Sequence, residues 1–329
     1  MVHHPKYSSA AALLFLIGLF SNTAVAQSVT IRLNGTNRTV LEATAPVNVG
    51  YRFQASADYE NWEDIGDQAS GVSTYRIDAQ DQKRFFRLRA WSTQDAPITV
   101  VLIGDSTVAD FVSNSERFYG WGQSFSGYLK PNVRVVNLGL PFQSSKTFIS
   151  SIEKDHLLAI KPEFVLAQFG MVDAWDLEGI KTTIPEYEAN LRTIIQMIRD
   201  FKGTPVLVTP PVWRVFDPEN RIYPWLVDRC EVVRKLSVEL QTYLIDLNQS
   251  SMDLFNELGP TASAYITWSE EDWAHFTLAG SEVIAGLVVD DLPGILRSQV
   301  LASAGGVKSA RLESFGISAL LKRPEVLDH

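Results

Sequence analysis

Apolar and polar positions follow two different patterns in the two parts of this 329-residue chain. From residue 28 to about residue 91, apolar residues alternate or cluster over strand-length segments, and no stretch shows the period of a helix. Gly66-Asp67 has the composition of a turn between two such segments. The pattern predicts a small all-β, sandwich-like module with strands at residues 29–33, 39–41, 51–55 and 85–89.

From Ile98 onwards, short apolar segments alternate with amphipathic ones, which is typical of a parallel sheet covered by helices on both faces. We predict strands at 98–103, 133–138, 164–169, 204–209 and 243–246. We predict helices near 121–129, 146–159, 185–201, 223–242 and 277–288. The predicted domains are therefore a β module at 27–92, a polar linker at 93–97, an α/β domain at 98–298 and a C-terminal extension at 299–329.

The first 26 residues have the features of a signal peptide. Lys6 precedes a short apolar run from Ala10 to Phe20, and Ala24-Val25-Ala26 has the small residues of a cleavage site. The apolar run is shorter than the ~20 residues that span a bilayer. An uncleaved anchor is the alternative. We predict a secreted or periplasmic protein, cleaved near Ala26, whose mature form has no membrane span.

Charge and cysteine content narrow the classes of function. The formal net charge is −9, and it becomes −10 without residues 1–26, because Lys6 is the only charged residue among them. This acidic balance disfavours nucleic acid as a partner, since phosphate binding needs a basic face. Cys230 is the single cysteine, so the chain has no internal disulfide, and its place in a predicted helix favours buried packing over reactivity.

Ser106 follows the first predicted strand of the α/β domain in the sequence Gly104-Asp105-Ser106, and Asp272-x-x-His275 comes much later in the chain. Ligands of open α/β sheets bind outside the carboxyl ends of the strands, which is where Ser106 is expected. A nucleophilic serine needs a base to remove its proton and a carboxylate to orient that base. Gly104 is expected to permit a sharp turn before the serine. This set of residues is typical of a serine hydrolase.

Four blocks of sequence resemble those of the SGNH (GDSL) hydrolases, and in particular the rhamnogalacturonan acetylesterase branch. The blocks, in order, are Gly104-Asp105-Ser106-Thr107, Asn137-Leu138-Gly139 with Ser144-Ser145, Gln168-Phe169-Gly170 with Asp173, and Asp272-x-x-His275. The resemblance covers about residues 98–292 and implies a flavodoxin-like three-layer sandwich with a parallel sheet. It implies catalysis without a cofactor, and no metal-ligand spacing occurs in the sequence. It also implies that Ser106 is the nucleophile, that His275 is the general base and that Asp272 orients His275.

Two positions depart from the family pattern where an oxyanion hole is expected. The second block normally carries a glycine whose backbone N–H faces the oxyanion, and this chain has Phe142 there. The third block normally reads Gly-x-Asn-Asp and supplies an asparagine amide, whereas Gly170-Met171-Val172-Asp173 has no donor at Val172. Loss of one such donor typically lowers turnover by roughly 10²–10³. Gln143 is a candidate replacement donor. The candidate oxyanion or substrate-binding residues are thus Phe142, Gln143, Gly170, Val172 and Asp173.

Three functions remain open at this point. The first is an exported serine ester hydrolase that removes acetyl or similar acyl groups from a polysaccharide or oligosaccharide. The second is a glycoside-processing enzyme on the same fold that uses Asp105, Asp173 and Asp272 as carboxylates. The third is a non-catalytic carbohydrate-binding protein. Three tryptophans are equally consistent with stacking on sugar rings and with core packing, namely Trp121, Trp175 and Trp213.

Overall fold

The computed structural model describes residues 97–111, 118–269 and 271–301, and seven strand segments before residue 97. The chain divides into two compact units, and the second begins at Ile98, the first residue of the predicted α/β domain. Of the predicted linker 93–97, only Pro97 lies within the described residues. The predicted extension 299–329 is described as far as Leu301.

The described residues of the first unit form strands, which confirms the prediction of a small all-β module. The strands are β1 (Leu16–Phe20), β2 (Thr30–Asn34), β3 (Val40–Thr44), β4 (Val49–Ser56), β5 (Glu63–Ser70), β6 (Val72–Arg76) and β7 (Phe85–Ser92). They form a four-stranded sheet in the order β1-β7-β4-β5 and a three-stranded sheet in the order β2-β3-β6. The pairing of β1 with β7 is parallel, and the other pairings are antiparallel.

The prediction of a turn at Gly66-Asp67 is wrong, because both residues lie inside β5. The pairing of β4 with β5 jumps there from Tyr51 opposite Ala69 to Phe53 opposite Ile65. More residues of β5 than of β4 lie between these two pairs, so the strand bulges. Glycine is common in bulges as well as in turns, and composition alone does not separate the two.

Strand β1 lies within the predicted signal peptide 1–26, whose other residues are outside the described part of the chain. It occupies an edge of the four-stranded sheet. Cleavage near Ala26 stays a prediction. Such a cleavage would remove this edge strand from the mature protein.

The second unit contains five parallel strands, which begin at the predicted residues and end within one residue of the predicted ends. They are β8 (Ile98–Gly104), β9 (Val133–Asn137), β10 (Phe164–Gln168), β11 (Thr204–Val208) and β12 (Tyr243–Ile245). The sheet order is β12-β11-β10-β8-β9, and all neighbours are parallel. Counted within this unit, the order is 2-1-3-4-5, which is the flavodoxin-like arrangement.

The helices are α1 (Trp121–Phe125), α2 (Ser145–Ile149), α3 (Ile152–Ile160), α4 (Ile184–Asp200), α5 (Val227–Glu239), α6 (Leu247–Ala262), α7 (Leu278–Asp290) and α8 (Gly294–Arg297). The helix predicted at 146–159 is divided into α2 and α3, because Ser151 caps α3 by accepting a hydrogen bond from the Lys154 N–H. Helix α6 was not predicted, since its first turn is rich in polar residues. Its cap is the Asp246 carboxylate, which accepts from the Gln249 N–H.

Alternate residues of β8 pack into two separate cores. Val100 and Leu102 pack with α1, α6 and α7 on one face of the sheet. Val101 and Ile103 pack with α2, α3, α4 and α5 on the other. Side chains of a strand alternate between the two faces, so a continuous apolar run fits a sheet that is covered twice. The predicted three-layer α/β sandwich is confirmed. Within the described part of the chain, no helix has both the length and the apolarity needed to cross a membrane.

Candidate active site

Ser106 lies in the turn that follows β8. The backbone N–H groups of Val108 and Ala109 close this turn by donating to the Asp105 carbonyl oxygen, at 3.0 and 3.1 Å. The switch point of a 2-1-3-4-5 sheet lies between its first and third strands, here β8 and β10. Ser106 therefore lies at the edge of the sheet where such folds bind their ligands.

Gly104 is needed before this turn because neighbouring atoms approach it closely. A Cβ at this position would lie 2.4 Å from the Gln168 carbonyl oxygen and 2.7 Å from Val108 Cγ2. Its φ angle is not positive, so the backbone freedom that the sequence suggested is not the reason for this glycine. Glycine is required here because the end of β8 packs so closely against Gln168 of β10 that no side chain fits between them.

A buried chain of hydrogen bonds anchors the residues on both sides of Ser106. Trp121 Nε1 donates to Gln168 Oε1 at 2.8 Å, and Gln168 Nε2 donates to Thr107 Oγ1 at 2.5 Å. Thr107 Oγ1 in turn donates to Asp105 Oδ1 at 2.7 Å. Trp121 is fully buried, so it packs in the core and is not a platform for sugar. Ser106 is thus fixed between two neighbours that are themselves hydrogen-bonded.

His275 connects Ser106 to Asp272. Its Nε2 lies 2.9 Å from Ser106 Oγ, and its Nδ1 lies 2.8 Å from Asp272 Oδ2. Asp272 Oδ1 also accepts from the backbone N–H groups of Ala274 and His275, at 3.1 and 3.0 Å. With the Nδ1 proton directed at the carboxylate, Nε2 is left as the acceptor facing the serine hydroxyl.

The Asp272 carboxyl group is half-buried, which favours its neutral form. Hydrogen bonds from the His275 ring and backbone outweigh this effect, and the pKa of Asp272 lies below its usual value. Asp272 is therefore an ionised carboxylate at neutral pH, where it accepts the hydrogen bond that orients His275.

Aromatic rings fix the plane of the His275 imidazole. The Phe118 ring stacks on it at 4.9 Å between centroids and 26° between planes, and Phe111 meets it edge-on at 6.3 Å. Trp268 packs edge-on against Phe118, and its backbone N–H donates to the His275 carbonyl oxygen. Sequence reasoning missed these contacts, since no motif distinguishes these aromatics from core residues.

Phe142 lies in the left-handed region of backbone conformation, which favours glycine, with a φ of 62°. Within the described residues, neither its N–H nor the Ser106 N–H donates to a protein acceptor. The two N–H groups follow neighbouring strands, β9 and β8. Val172 is buried and begins a short 3₁₀ helix, Val172–Ala174, with no side-chain donor to add.

Gln143 and Gly170 each donate a hydrogen bond to a carboxylate of the protein. The buried Gln143 amide donates to Glu153 Oε2 at 3.3 Å. Gly170 adopts a φ of 128°, and its N–H donates to Asp173 Oδ2 at 3.2 Å. Gly170 is thus a turn residue that closes onto Asp173.

Asp173 belongs to the buried framework, which corrects the expectation that it contacts a substrate. Its side chain is 0% exposed and accepts four hydrogen bonds. Oδ1 accepts from the hydroxyls of Ser145 and Thr182, at 2.5 and 2.9 Å, and Oδ2 accepts from the backbone N–H groups of Ser145 and Gly170. Burial raises the pKa of Asp173, while the hydrogen bonds from Ser145 and Thr182 oppose that rise. The carboxylate ties the loop after β9 to the loop after β10.

Comparison with known proteins identifies the family. The sequence pattern of the GDSL-like Lipase/Acylhydrolase family matches residues 102–283, which is more than half of the chain. The chain belongs to this family. The predicted resemblance is confirmed, and so is the prediction of an esterase-like hydrolase.

Two relatives and one crystal structure show how far the likeness extends. A probable rhamnogalacturonan acetylesterase of Bacillus subtilis (strain 168), YesY, is 32% identical over 197 residues, which is 57% of this chain and 89% of YesY. The rhamnogalacturonan acetylesterase RhgT of the same strain is 29% identical over 215 residues, 60% of this chain and 90% of RhgT. The crystal structure of YxiM from Bacillus subtilis matches 81% of this chain and 90% of its own length, with a TM-score of 0.55. At 20% identity, that match shows a shared fold.

Three further sequence candidates in this GDSL hydrolase have defined places. Trp175 is partly exposed, and Trp213 is half-buried with its ring centroid 4.7 Å from that of Trp225. Cys230 is buried, which raises the pKa of its thiol to about 12 and keeps it protonated. In the part of the chain that the structure describes, no group of three or more His, Cys, Asp or Glu side chains is placed to hold a metal ion.

Replacing Asp173 by asparagine is expected to lower the free energy of unfolding by roughly 2–4 kcal/mol. Both carboxylate oxygens of Asp173 accept hydrogen bonds, but an asparagine has only one acceptor oxygen. Its amide N–H₂ group would therefore face N–H or O–H donors and could not accept their hydrogen bonds. Denaturant unfolding followed by circular dichroism measures the difference. Asp176→Asn is the matched control, because Asp176 is exposed and pairs with Lys181, and it should leave the midpoint unchanged. Equal midpoints for wild type and Asp173→Asn would contradict the framework role.

Proposed function

We propose that this GDSL hydrolase removes acetyl or similarly small acyl groups from a polysaccharide or oligosaccharide, with Ser106 as the nucleophile. The observation that carries the proposal is the continuous contact from Ser106 Oγ through the His275 ring to the Asp272 carboxylate, at 2.9 and 2.8 Å. The relatives support both the acetyl group and the carbohydrate, because YesY is named a probable rhamnogalacturonan acetylesterase and RhgT a rhamnogalacturonan acetylesterase.

The geometry supports a two-step acyl transfer. In the first step, Ser106 Oγ attacks the ester carbonyl carbon and its proton passes to His275 Nε2, while Asp272 stabilises the imidazolium. The tetrahedral intermediate then expels the sugar oxygen, which takes the proton from Nε2 and leaves as a hydroxyl. In the second step, His275 removes a proton from water as the water oxygen attacks the acyl carbon of the acyl-serine. The bond from that carbon to Ser106 Oγ then breaks, Oγ takes the proton from His275 Nε2, and acetic acid leaves and ionises to acetate.

Two backbone N–H groups are the proposed oxyanion donors, those of Ser106 and Phe142. Both lack a protein acceptor within the described residues, and the φ of Phe142 lies in the left-handed region that favours glycine. Since Val172 offers no third donor, we expect turnover to lie roughly 10²–10³ below that of an enzyme with three donors.

A glycoside-cleaving use of the carboxylates has less support. That chemistry needs two carboxyl groups that face the glycosidic bond. Asp105 and Asp173 are both 0% exposed, and burial raises the pKa of Asp105 to about 6, against hydrogen bonds from Thr107. Asp272 is engaged with His275.

Export after cleavage near Ala26 is part of the proposal. The support for export is the sequence pattern of residues 1–26, in which Lys6 precedes a short apolar run and Ala24-Val25-Ala26 supplies the small residues of a cleavage site.

Acetate release by the purified protein tests the proposal. The panel contains acetylated rhamnogalacturonan, acetylated xylan and 4-nitrophenyl acetate, and the same polysaccharides after alkaline deacetylation serve as controls. We expect acetate from at least one acetylated polysaccharide and no new reducing ends. New reducing ends without acetate would replace the esterase proposal by the glycosidase one.

A further inference from the structure

Two exposed aromatic side chains, Phe142 and Trp175, lie together near the carboxyl ends of the strands. We call them the aromatic pair. Their ring centroids are 5.7 Å apart, with 54° between the planes, and they are 59% and 38% exposed. Phe142 follows β9 and Trp175 follows β10, the strands on either side of β8. The pair therefore spans the edge of the sheet from which the Ser106 turn emerges.

Folding does not explain the phenylalanine at position 142. Its positive φ is disfavoured for a bulky residue and costs glycine little. More than half of its side chain is exposed to water, and its ring contacts that of Trp175. The backbone of Phe142 thus costs stability relative to glycine, and its largely exposed ring offsets little of that cost by burial. The loop that carries Phe142 is bonded to the end of β8, where the Leu140 N–H donates to the Gly104 carbonyl oxygen. A residue that is held in such a conformation in a loop next to the Ser106 turn points to a contact with a ligand.

The shape and exposure of the pair favour a sugar ring as that ligand. Leu140 and Leu177, from the same two loops, are also exposed, so the apolar surface is open to solvent and not an enclosed groove. A long acyl chain would need enclosure to leave water. A pyranose has an apolar C–H face and a rim of hydroxyls, and it can stack on an open aromatic surface while the hydroxyls stay hydrated.

We propose that the aromatic pair determines specificity by stacking on a pyranose ring of the acylated carbohydrate, beside the ester that Ser106 attacks. This inference rests on the proposed esterase function. It also accounts for the first departure from the family pattern, because Phe142 keeps its backbone N–H for the oxyanion and adds a ring for the sugar.

Binding of deacetylated oligosaccharides separates this inference from the esterase proposal, since no ester is cleaved. Isothermal titration calorimetry measures the affinity of wild type, Trp175→Ala and Phe142→Gly for xylo-oligosaccharides and for rhamnogalacturonan oligosaccharides. We expect at least one class to bind wild type, and each variant to bind it about tenfold more weakly. Tyr243→Ala is the matched control. Tyr243 is 48% exposed at the start of β12, at the opposite end of a strand from Ser106, so its replacement should leave affinity unchanged.

Kinetics provide the second measurement. In each variant, kcat/KM for an acetylated oligosaccharide relative to that for 4-nitrophenyl acetate should fall about tenfold, mainly through KM. The inference that the aromatic pair binds a sugar ring would be overturned if wild type bound neither class of oligosaccharide, or if wild type and both variants bound with equal affinity. Selectivity that changes only between aryl acetate and aryl butyrate would also overturn it, by assigning the pair to the acyl group. If oligosaccharide binding depends on Trp175 but no acetate is released, the sugar-binding role of the aromatic pair is supported and the esterase proposal is overturned.

Discussion

Replacement of Ser106 by alanine is expected to lower the kcat of acetate release by about 10⁵–10⁶, because the attacking oxygen is lost and no neighbouring group can form the acyl intermediate. The residual rate over water comes from substrate binding and the backbone N–H groups. Within the described residues, the Ser106 hydroxyl is hydrogen-bonded to His275 and to no framework group, so the fold should be retained. A stopped assay with an acetylated polysaccharide measures the loss, and circular dichroism verifies the fold.

Ser298→Ala is the matched control for this experiment. Ser298 is an exposed serine at the end of α8, where its hydroxyl donates to the Ile295 carbonyl oxygen. Its replacement should leave kcat unchanged. Equal acetate release by wild type and Ser106→Ala would remove the proposed nucleophile and require another site.

Replacement of Asp272 by asparagine is expected to lower kcat by about 10⁴, because it leaves His275 in the wrong tautomer. Asp272 now accepts hydrogen bonds at both oxygens, from the His275 ring at Oδ2 and from the backbone of Ala274 and His275 at Oδ1. An asparagine has a single oxygen. If this oxygen stays with the backbone N–H groups, the amide N–H₂ faces Nδ1, which must then be the acceptor. The proton moves to Nε2, and His275 can no longer accept the proton of Ser106.

The pH dependence follows from the lowered pKa of Asp272. A carboxyl whose pKa falls on folding contributes stability that is present above its ordinary value of about 3.9 and is lost as pH falls through the lowered value. His275 should therefore stay oriented throughout the neutral range in wild type. The measurement is kcat/KM for 4-nitrophenyl acetate from pH 5 to 9, with Asp176→Asn as the exposed control. A loss of less than tenfold in Asp272→Asn would show that the aromatic rings around His275 are sufficient to orient it.

The strands of the α/β unit were predictable from sequence because of their environment. A strand covered by helices on both faces is apolar at nearly every position, as β8 and β10 are apart from Thr99 and Gln168, and this local requirement is visible in the residues themselves. Helix ends were less predictable. Ser150 and Ser151 interrupt one predicted helix, and polar residues at the start of α6 conceal another, because capping side chains compete with the helical pattern.

The sequence by itself determined the fold class, the family and the positions of Ser106, Asp272 and His275 along the chain. The tertiary structure decided what neighbouring residues do. Asp173 and Asp272 are both aspartates in family blocks, yet one is buried under four donors and the other faces His275. The φ of Phe142, its contact with Trp175 and the stacking of Phe118 on His275 also appeared only in three dimensions. The physical reason is that the burial and the partners of a side chain depend on which loops come together at one edge of the sheet. Those loops follow different strands and are distant in sequence, so a local pattern of residues does not predict their contacts.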